Sequence, residues 1–504
     1  MLSALIWLPI VSAALVGFWP GTITSKGARQ VALAVTMGVF IWSVVLLLQF
    51  NPSTASQQFQ ENLPWLEALG LTYSLGIDGL SLPLLVLNGL LTAVALYSTD
   101  ETLERPRLYY SLILFLNAAV SGAFVAQDLL LFFLFYELEL IPLYLLIAIW
   151  GGQRRGYAAT KFLLYTAISG ALILAAFLGA VFLSGATSFA YRDTVEVVSL
   201  LPNAQQLLLL VAILVGFGIK IPLVPFHTWL PDAHVEASTP ISILLAGVLL
   251  KLGTYGLLRF GLGLFPEAWA SLGNGLAIWA AVSVLYGAFN AIAQRDMKKM
   301  VAYSSVAHMG YILLAAAAAT PLSLAGAVLQ MVSHGLISAL LFLLVGIVYK
   351  KTGSRDLDSL NGLLNPERGL PVIGSLMVLG VMASAGIPGM VGFISEFIVF
   401  RGSFPVFPVQ TLLCMLGTGL TAVYLLILLD RAFFGRLSPQ AIDLPKVLWQ
   451  ERMPALVLAI LIVILGIQPG WLIGLSETTT AAMVTAAPTI ALESSNLAPL
   501  GTEE

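Results

Sequence analysis

The chain has 504 residues, 59% hydrophobic and 10% charged, with mean hydropathy +0.95 and net charge −3. An ordinary soluble domain carries about 25% charged residues, so the composition excludes a soluble globular protein; the long apolar runs lack the alternation of barrel strands and exclude a membrane β-barrel. The single cysteine, Cys414, excludes an intrachain disulfide and a cysteine-ligated zinc or iron–sulfur centre, and the small net charge gives no footing for nucleic acid.

The expected fold class is therefore an all-α polytopic membrane protein with about fourteen transmembrane helices. In chain order the apolar stretches lie near 2–19, 30–49, 79–98, 109–126, 129–150, 161–184, 206–227, 240–260, 270–293, 301–319, 322–349, 371–400, 408–430 and 453–475. The first, MLSALIWLPIVSAALVGFWP, lacks a basic segment ahead of it, and its first positive charges, Lys26 and Arg29, follow it; it reads as a spanning helix rather than a cleaved leader. With this count the basic residues fall overwhelmingly on one side. Arg105, Arg107, Arg154, Arg155, Lys350, Lys351 and most others follow odd-numbered spans, and only Arg192, Arg259 and Arg401 face the opposite way. By the positive-inside rule the basic side is cytoplasmic, which puts both termini, including the tail ending Thr502-Glu503-Glu504, on the outer or lumenal side.

Two spans read as broken. Span seven carries Pro222 and Pro225, and span twelve carries Pro388 between Gly386 and Gly389. Proline removes a backbone donor and crowds the preceding turn. Broken helices at corresponding places in two halves point to transporter-type repeats. Spans 4–8 and 9–13 would be two five-helix repeats, and an odd number of helices inverts the second. The expected organisation is 1–105, N-terminal membrane helices; 106–262, the first repeat; 263–436, the second, inverted repeat; and 437–504, a C-terminal helix and polar tail.

Against this apolar background the buried charges carry the functional signal. Glu137 lies in span five, in LLLFFLFYELELIPLYLL, with Glu139 about 200° further round the helix; one faces the bundle interior, the other a neighbouring helix or chain. Lys220 and Lys251 are the sole formal charges of their stretches in spans seven and eight. A lysine at mid-bilayer depth costs ~2.5–3.5 kcal/mol on insertion scales and belongs beside a wet cavity or an acidic partner. Glu137 is the expected partner of Lys220. His334 in span eleven suits a proton relay, His308 in span ten a supporting one, and Glu396 lies in the second half of broken span twelve. For each, the structural alternative is an ion pair or a backbone hydrogen bond that only locks helices; for Glu396 that partner would be Arg401. His227, Asp232, His234 and Glu236 crowd into PFHTWLPDAHVEASTP, but prolines spread them and no metal-ligand spacing emerges, so capping and loop anchoring are expected there. No metal or cofactor site is expected in the chain.

The segments YELELIPLYLLIAIWGG, GIKIPLVPFHTWLPDAHVEASTPISILLAGVLLKLGTYGLLRF, RDMKKMVAYSSVAHMGY and MVSHGLISALLFLLVG resemble the proton-translocating antiporter-like subunits of complex I. The ELELIP and WGGQRR wording is similar to the photosynthetic branch of cyanobacteria and chloroplasts. The resemblance implies inverted five-helix repeats, each with a half-channel on a broken helix. It implies proton-transfer roles for Glu137, Lys220, Lys251, His334 and Glu396. Some relatives carry lysine at the last position, where this chain has Glu396. It further implies an integral thylakoid-membrane location and partnership with other membrane subunits, lipid and protons. NAD(P)H or ferredoxin, iron–sulfur clusters and plastoquinone would be handled by those partner subunits. The rival readings are a stand-alone cation/proton antiporter and a purely structural scaffold.

Overall fold

The computed structural model describes residues 1–19, 24–66, 68, 70–100, 102–437 and 444–486; the acidic end of the chain, Thr502–Glu504, lies outside the described residues. Helix starts are written in the sequence. Thr24 caps Ser25–Gln49, Asp128 caps Leu129–Leu138, Asp296 caps Met297–Ala318, and Thr320 with Ser323 forms a capping box for Pro321–Thr352. Proline occupies the first turn of Leu82–Tyr97, Pro106–Val125, Pro266–Ile292, Pro371–Ser384 and Pro408–Ala432, where its missing N–H costs nothing.

In chain order the elements are α1 (Ser3–Gly17), α2 (Ser25–Gln49), β1 (Gln58–Leu66), β2 (Leu71–Ile77), α3 (Leu82–Tyr97), α4 (Pro106–Val125), α5 (Leu129–Leu138), α6 (Leu140–Trp150), α7 (Arg155–Ser184), α8 (Tyr191–Val198), α9 (Asn203–Lys220), α10 (Trp229–Glu236), α11 (Thr239–Leu244), α12 (Leu250–Gly256), α13 (Pro266–Ile292), α14 (Met297–Ala318), α15 (Pro321–Thr352), α16 (Pro371–Ser384), α17 (Val391–Ser403), α18 (Pro408–Ala432), α19 (Trp449–Ile467) and α20 (Gly470–Ala486). Among the described residues, 11 helices are long and apolar enough to cross a membrane, with α1, α3 and α16 as shorter apolar helices. Together they match the stretches expected from the sequence, one for one, and the protein is an integral membrane protein.

Both expected breaks are present. α9 ends at Lys220 and the chain turns through Ile221–Pro225 before resuming as a short 3-10 turn and α10. α16 ends at Ser384, and the chain passes through Gly386 and Gly389, at φ +70° and +91°, before α17. Those left-handed conformations suit glycine and are costly for a side chain with a Cβ. Span eight is irregular in a way the sequence did not suggest: π-helical turns at Leu245–Leu249 and Leu257–Leu262 flank α12.

Three features depart from the expected plan. β1 and β2 form an antiparallel hairpin ahead of α3, pairing Glu61 with Leu75 and Leu63 with Tyr73. The polar, mixed sequence of 58–77 has no helical period and falls between two membrane stretches, where hairpin pairing satisfies its backbone. The helix α20, following Pro469, packs against α15, and the Thr479 hydroxyl accepts from Gly79 N–H. Arg259 does not sit in an outer loop: it is buried in the last π-helical turn of span eight, 2.5 Å from Asp78 at the start of α3.

The core lies along α11–α12, α14 and α15. Pro240–Leu262 is buried throughout, whereas α2, α18 and α19 present much of their apolar surface outward. The innermost helices are those that carry Lys251, His308 and His334.

Candidate functional site

Two charge clusters occupy the interior. The first forms where α5, α6, α7 and α9 meet. Pro142 lacks an N–H for the Leu138 carbonyl four residues back, and the helical ladder is interrupted at Glu139, between α5 and α6. Glu139 thereby turns into the bundle, fully buried, and makes an ion pair with Lys220 at the end of α9. The Lys220 ammonium also lies 4.9 Å from the centre of the Tyr136 ring. Tyr136 Oη is 2.9 Å from Ser169 Oγ on α7, and Ser169 Oγ donates to the Gly216 carbonyl on α9, one turn before Lys220 (2.7 Å).

The direct ion pair of Lys220 is with Glu139, while Glu137, the expected partner, acts on it electrostatically. Glu137, half-buried, packs its carboxylate against Gly170 of α7 and lines an apolar groove of about 890 Å³ between α1, the hairpin, α4 and α5. It stays within electrostatic reach of Lys220. The helical offset of about 200° correctly required the two glutamates to face different surroundings, but it could not say which faced inward.

The second cluster runs through α12, α14, α15, α17 and α18. The π-helical turn before α12 offers the Ala246 carbonyl to Lys251 Nζ at 2.5 Å, and Nζ also lies 2.8 Å from His334 Nδ1. π-helical turns recur at functional sites because they release a carbonyl from the regular ladder. With Nδ1 accepting from an ammonium, the His334 proton belongs on Nε2. The His334 and His308 rings are 5.7 Å apart, centre to centre. His308 Nδ1 donates to the Ser304 carbonyl at 2.9 Å, so its Nε2 is left to face Glu396 Oε1 at 3.6 Å. Glu396 Oε2 accepts from Thr418 Oγ1 at 2.9 Å, and Thr418 lies 3.2 Å from the Tyr311 hydroxyl. Its partners are therefore His308 and Thr418 rather than Arg401.

Gln330, Ser333, His334, His308, Ser384 and Glu396 line a cavity of about 10 Å³ between these groups. Gln330 Oε1, Ser333 Oγ and His334 Nε2 have no hydrogen-bond partner among the described residues. A space of that size with several polar walls fits one water, which would bridge His334 to the Glu396 side. All members are buried. The arrangement can therefore hand a proton between groups that each bind or release one, Lys251, His334, His308 and Glu396, without exposing any of them to bulk solvent.

The clusters adjoin: Gly253, two residues past Lys251, packs against the side chain and backbone N of Ile221 and the Cβ of Lys220 at the break, where any Cβ on residue 253 would be crowded. Toward the basic end of the bundle a cavity of about 830 Å³ is lined by Gly152, Glu236, Ser238, Lys298, Lys350 and Arg355 among others. Lys298, buried, donates to the Ala237 carbonyl at 2.5 Å. The PFHTWLPDAHVE segment anchors this end: Asp232 binds Lys161 at 2.7 Å, and the Glu236 carboxylate accepts from Arg154 N–H at 2.8 Å. Sequence reasoning missed Lys298, Thr418 and Tyr311. Lys298 looked like one of several loop lysines, and hydroxyl side chains in an apolar helix give no signal of their own.

The family described as NADH:quinone oxidoreductase/Mrp antiporter, TM, matches residues 126–423, the segment that holds both clusters. A relative from Synechocystis sp., NAD(P)H-quinone oxidoreductase chain 4-2, is 43% identical over 88% of this chain and 80% of its own length. The chain belongs to the NAD(P)H-quinone oxidoreductase chain 4 family. The fold of that family is seen in a chain of respiratory complex I from Thermus thermophilus, which aligns with 97% of this chain and all of its own at a TM-score of 0.87 and 27% identity. A chain of the Mrp complex from Dietzia sp. DQ12-45-1b shares the fold, at a TM-score of 0.84 over 96% of this chain and 20% identity. Both are components of multisubunit membrane complexes, and other membrane subunits are the expected neighbours here.

Proposed function

We propose that this chain is the proton-translocating membrane subunit of a photosynthetic-type, complex I-like NAD(P)H dehydrogenase, coupling plastoquinone reduction elsewhere in the assembly to proton transfer through its own interior. The observation that carries the reading is the buried series Lys251–His334–His308–Glu396, four titratable groups in succession on four different helices. A scaffold has no need of such a series, because apolar packing stabilises helix contacts at least as well as buried charge. The naming of the relatives supports the redox coupling. In this reading residues 106–262 form the first half-channel, with Glu137, Lys220 and Glu139, and residues 263–436 the second, with His308, His334 and Glu396; Lys251 connects them. NAD(P)H or ferredoxin, the iron–sulfur clusters and plastoquinone belong to partner subunits. The setting is the thylakoid membrane, with both termini lumenal and lipid around the outer helices.

The test is Lys220→Ala in the intact complex in sealed membrane vesicles, with proton uptake and quinone reduction measured together. The expected result is a lower ratio of protons taken up per quinone reduced, with quinone reduction under uncoupler retained. An unchanged ratio overturns the reading in favour of a scaffold. Sodium-dependent proton transport without electron transfer would replace it with a stand-alone antiporter.

A further inference from the structure

We infer that the segment from Leu444 to Glu451 is a strap, latched by ion pairs across the mouth of the 830 Å³ cavity at the basic end of the bundle, and that its opening admits water and protons to the buried Lys298; this rests on the proton-pumping reading above. The two ends of the cavity differ in exposure. The side chains of Lys350 and Asp100, which line it, are 52% and 58% exposed and mark the mouth. Lys298 is 4% exposed and marks the floor. The inner wall reaches Leu343 of α15, from which about 13 Å of helix rise remains to His334.

The strap is held by polar contacts that converge on two lysines in the last turn of α15. Lys351 Nζ donates to the Lys446 carbonyl at 3.0 Å and pairs with Glu451 at 2.8 Å. Lys350 lies 3.5 Å from the same carboxylate and pairs on its other side with Asp100, just after α3, at 2.5 Å. The row Asp100–Lys350–Glu451–Lys351 thus ties the end of α3 to the start of α19. Apolar packing adds little. Leu444–Leu448 is neither helix nor strand, and within it only Val447 is buried. The first turn of α19 is itself weakly joined to the rest of its helix, because Pro454 has no N–H for the Gln450 carbonyl four residues back. A segment with few buried apolar contacts opens at a much lower free energy than the packed helices around it. Charge, rather than packing, therefore sets how often the strap lifts.

Glu451 is a positioning residue in this scheme: it holds the strap and passes on no proton. Its Oε2 also accepts from the Leu448 N–H at 2.8 Å, so it caps its own helix. An amide keeps that cap and loses the charge. Glu451→Gln therefore unlatches the strap without unwinding the start of α19.

The experiment follows access to the cavity and proton uptake separately, in the intact complex in sealed vesicles with the cytoplasmic face outward. Ser238→Cys, with Cys414→Ala, reports the floor, beside the Ala237 carbonyl that Lys298 holds. A membrane-impermeant maleimide should label it slowly in the latched protein and about tenfold faster with Glu451→Gln, the scale of two lost, partly exposed ion pairs. Added salt should speed labelling of the latched protein by screening its exposed charges, and should not speed it further with Glu451→Gln. In a chain that keeps Ser238, a Lys351→Cys, Glu451→Cys disulfide locks the strap. Oxidant should lower protons taken up per quinone reduced, reductant should restore the ratio, and quinone reduction under uncoupler should hold throughout; Lys351→Cys alone, treated alike, should not respond. Equal labelling of the latched and Glu451→Gln proteins, whether fast or absent, overturns the latch. A locked strap that pumps normally overturns the strap as the proton's way in and leaves the pumping reading standing. An unchanged ratio in Lys220→Ala defeats the pumping reading instead, while labelling still decides the latch. Should Glu451→Gln not assemble, Asp100→Asn and Lys350→Gln replace it: faster labelling in either supports the latch, and faster labelling in neither overturns it.

Discussion

Lys251 shows what a buried charge needs in order to be tolerated. Among the described residues no carboxylate bonds it; its ammonium has the Ala246 carbonyl and His334 Nδ1 instead. Those two acceptors hold the charge by hydrogen bonding, and hydrogen bonds to charged groups contribute about 1.5–3 kcal/mol each. A neutral acceptor such as imidazole can take the proton outright, which a structural carboxylate partner would resist. Lys251→Ala should therefore lower protons per quinone while leaving the Glu139–Lys220 pair and assembly intact. Lys251→Arg should not restore the ratio, because guanidinium does not release its proton at accessible pH; full pumping in Lys251→Arg would remove Lys251 from the path. His308 offers a second test at this scale. Its Nδ1 is committed to Ser304, so the Nε2 edge is the only one available to Glu396. His308→Ala should cut the proton ratio about as far as His334→Ala does, since a relay fails wherever it is cut, and a His308→Ala complex with normal stoichiometry would exclude that ring from the relay. The Asp78–Arg259 pair is a contrasting case: buried and closed, with Asp78 also accepting from Gln57, Leu80 and Ser81, it joins the start of α3 to span eight. Removing one partner strands the other, at ~3–5 kcal/mol. Arg259→Ala should lower the thermal stability of the subunit without changing protons per quinone, as read by the melting temperature of the purified complex.

At the scale of the element, irregularity and function coincide. The interior charges stand at or beside places where a helix departs from regular geometry: Glu139 where α5 passes into α6, Lys220 at the end of α9, Lys251 after a π-helical turn, and Glu396 in the first turns after the α16–α17 break. A regular helix leaves no spare carbonyls for a buried cation, while an interrupted one does. Gly386 belongs to the last of these breaks. Its φ is +70°, and a Cβ there would stand 3.1 Å from Glu396 Oε2. Gly386→Ala should therefore cost about 1 kcal/mol in stability through the left-handed backbone, and should also push the Glu396 carboxylate off Thr418 and His308. The expected readout is a reduced proton ratio in an assembled complex; an assembled complex with an unaltered ratio would show that this break only shapes the helix.

For the whole molecule, the arrangement of loops is the decisive question. The Arg154–Arg155 loop and the Lys350–Lys351 end of α15 meet at one end of the bundle: Gly152 and Gln153 line the same cavity as Lys350 and Arg355. Single cysteines placed in these two segments, with buried Cys414 replaced first, should react alike with a membrane-impermeant reagent added from the cytoplasmic side. A cysteine placed at exposed Ser53, in the loop between α2 and β1, should react only from the opposite side, because that loop follows a span that starts at the basic end. Opposite labelling of the two basic segments would rule out the fourteen-span arrangement.

The sequence by itself determined the class of protein, the number and order of the spans, both helix breaks and several of the interior charges, though not Asp78, Arg259 or Lys298. Each of these follows from local physics: twenty apolar residues span a bilayer, proline and glycine interrupt a helix, and a charge in an apolar run must be accommodated. The hairpin and α20 escaped because mixed, polar stretches carry no strong period. Only the tertiary structure decided which charge meets which. Glu137 and Glu139 are equally acidic and two residues apart, and nothing local distinguishes them; the interruption before Pro142 and the packing of α5, α6 and α7 against α9 turn Glu139 inward to Lys220 and seat Glu137 against Gly170. His308 likewise became the link between His334 and Glu396 only when α14, α15 and α17 were packed together, because proximity across helices depends on rotation about each axis, which a residue's place in the chain does not specify.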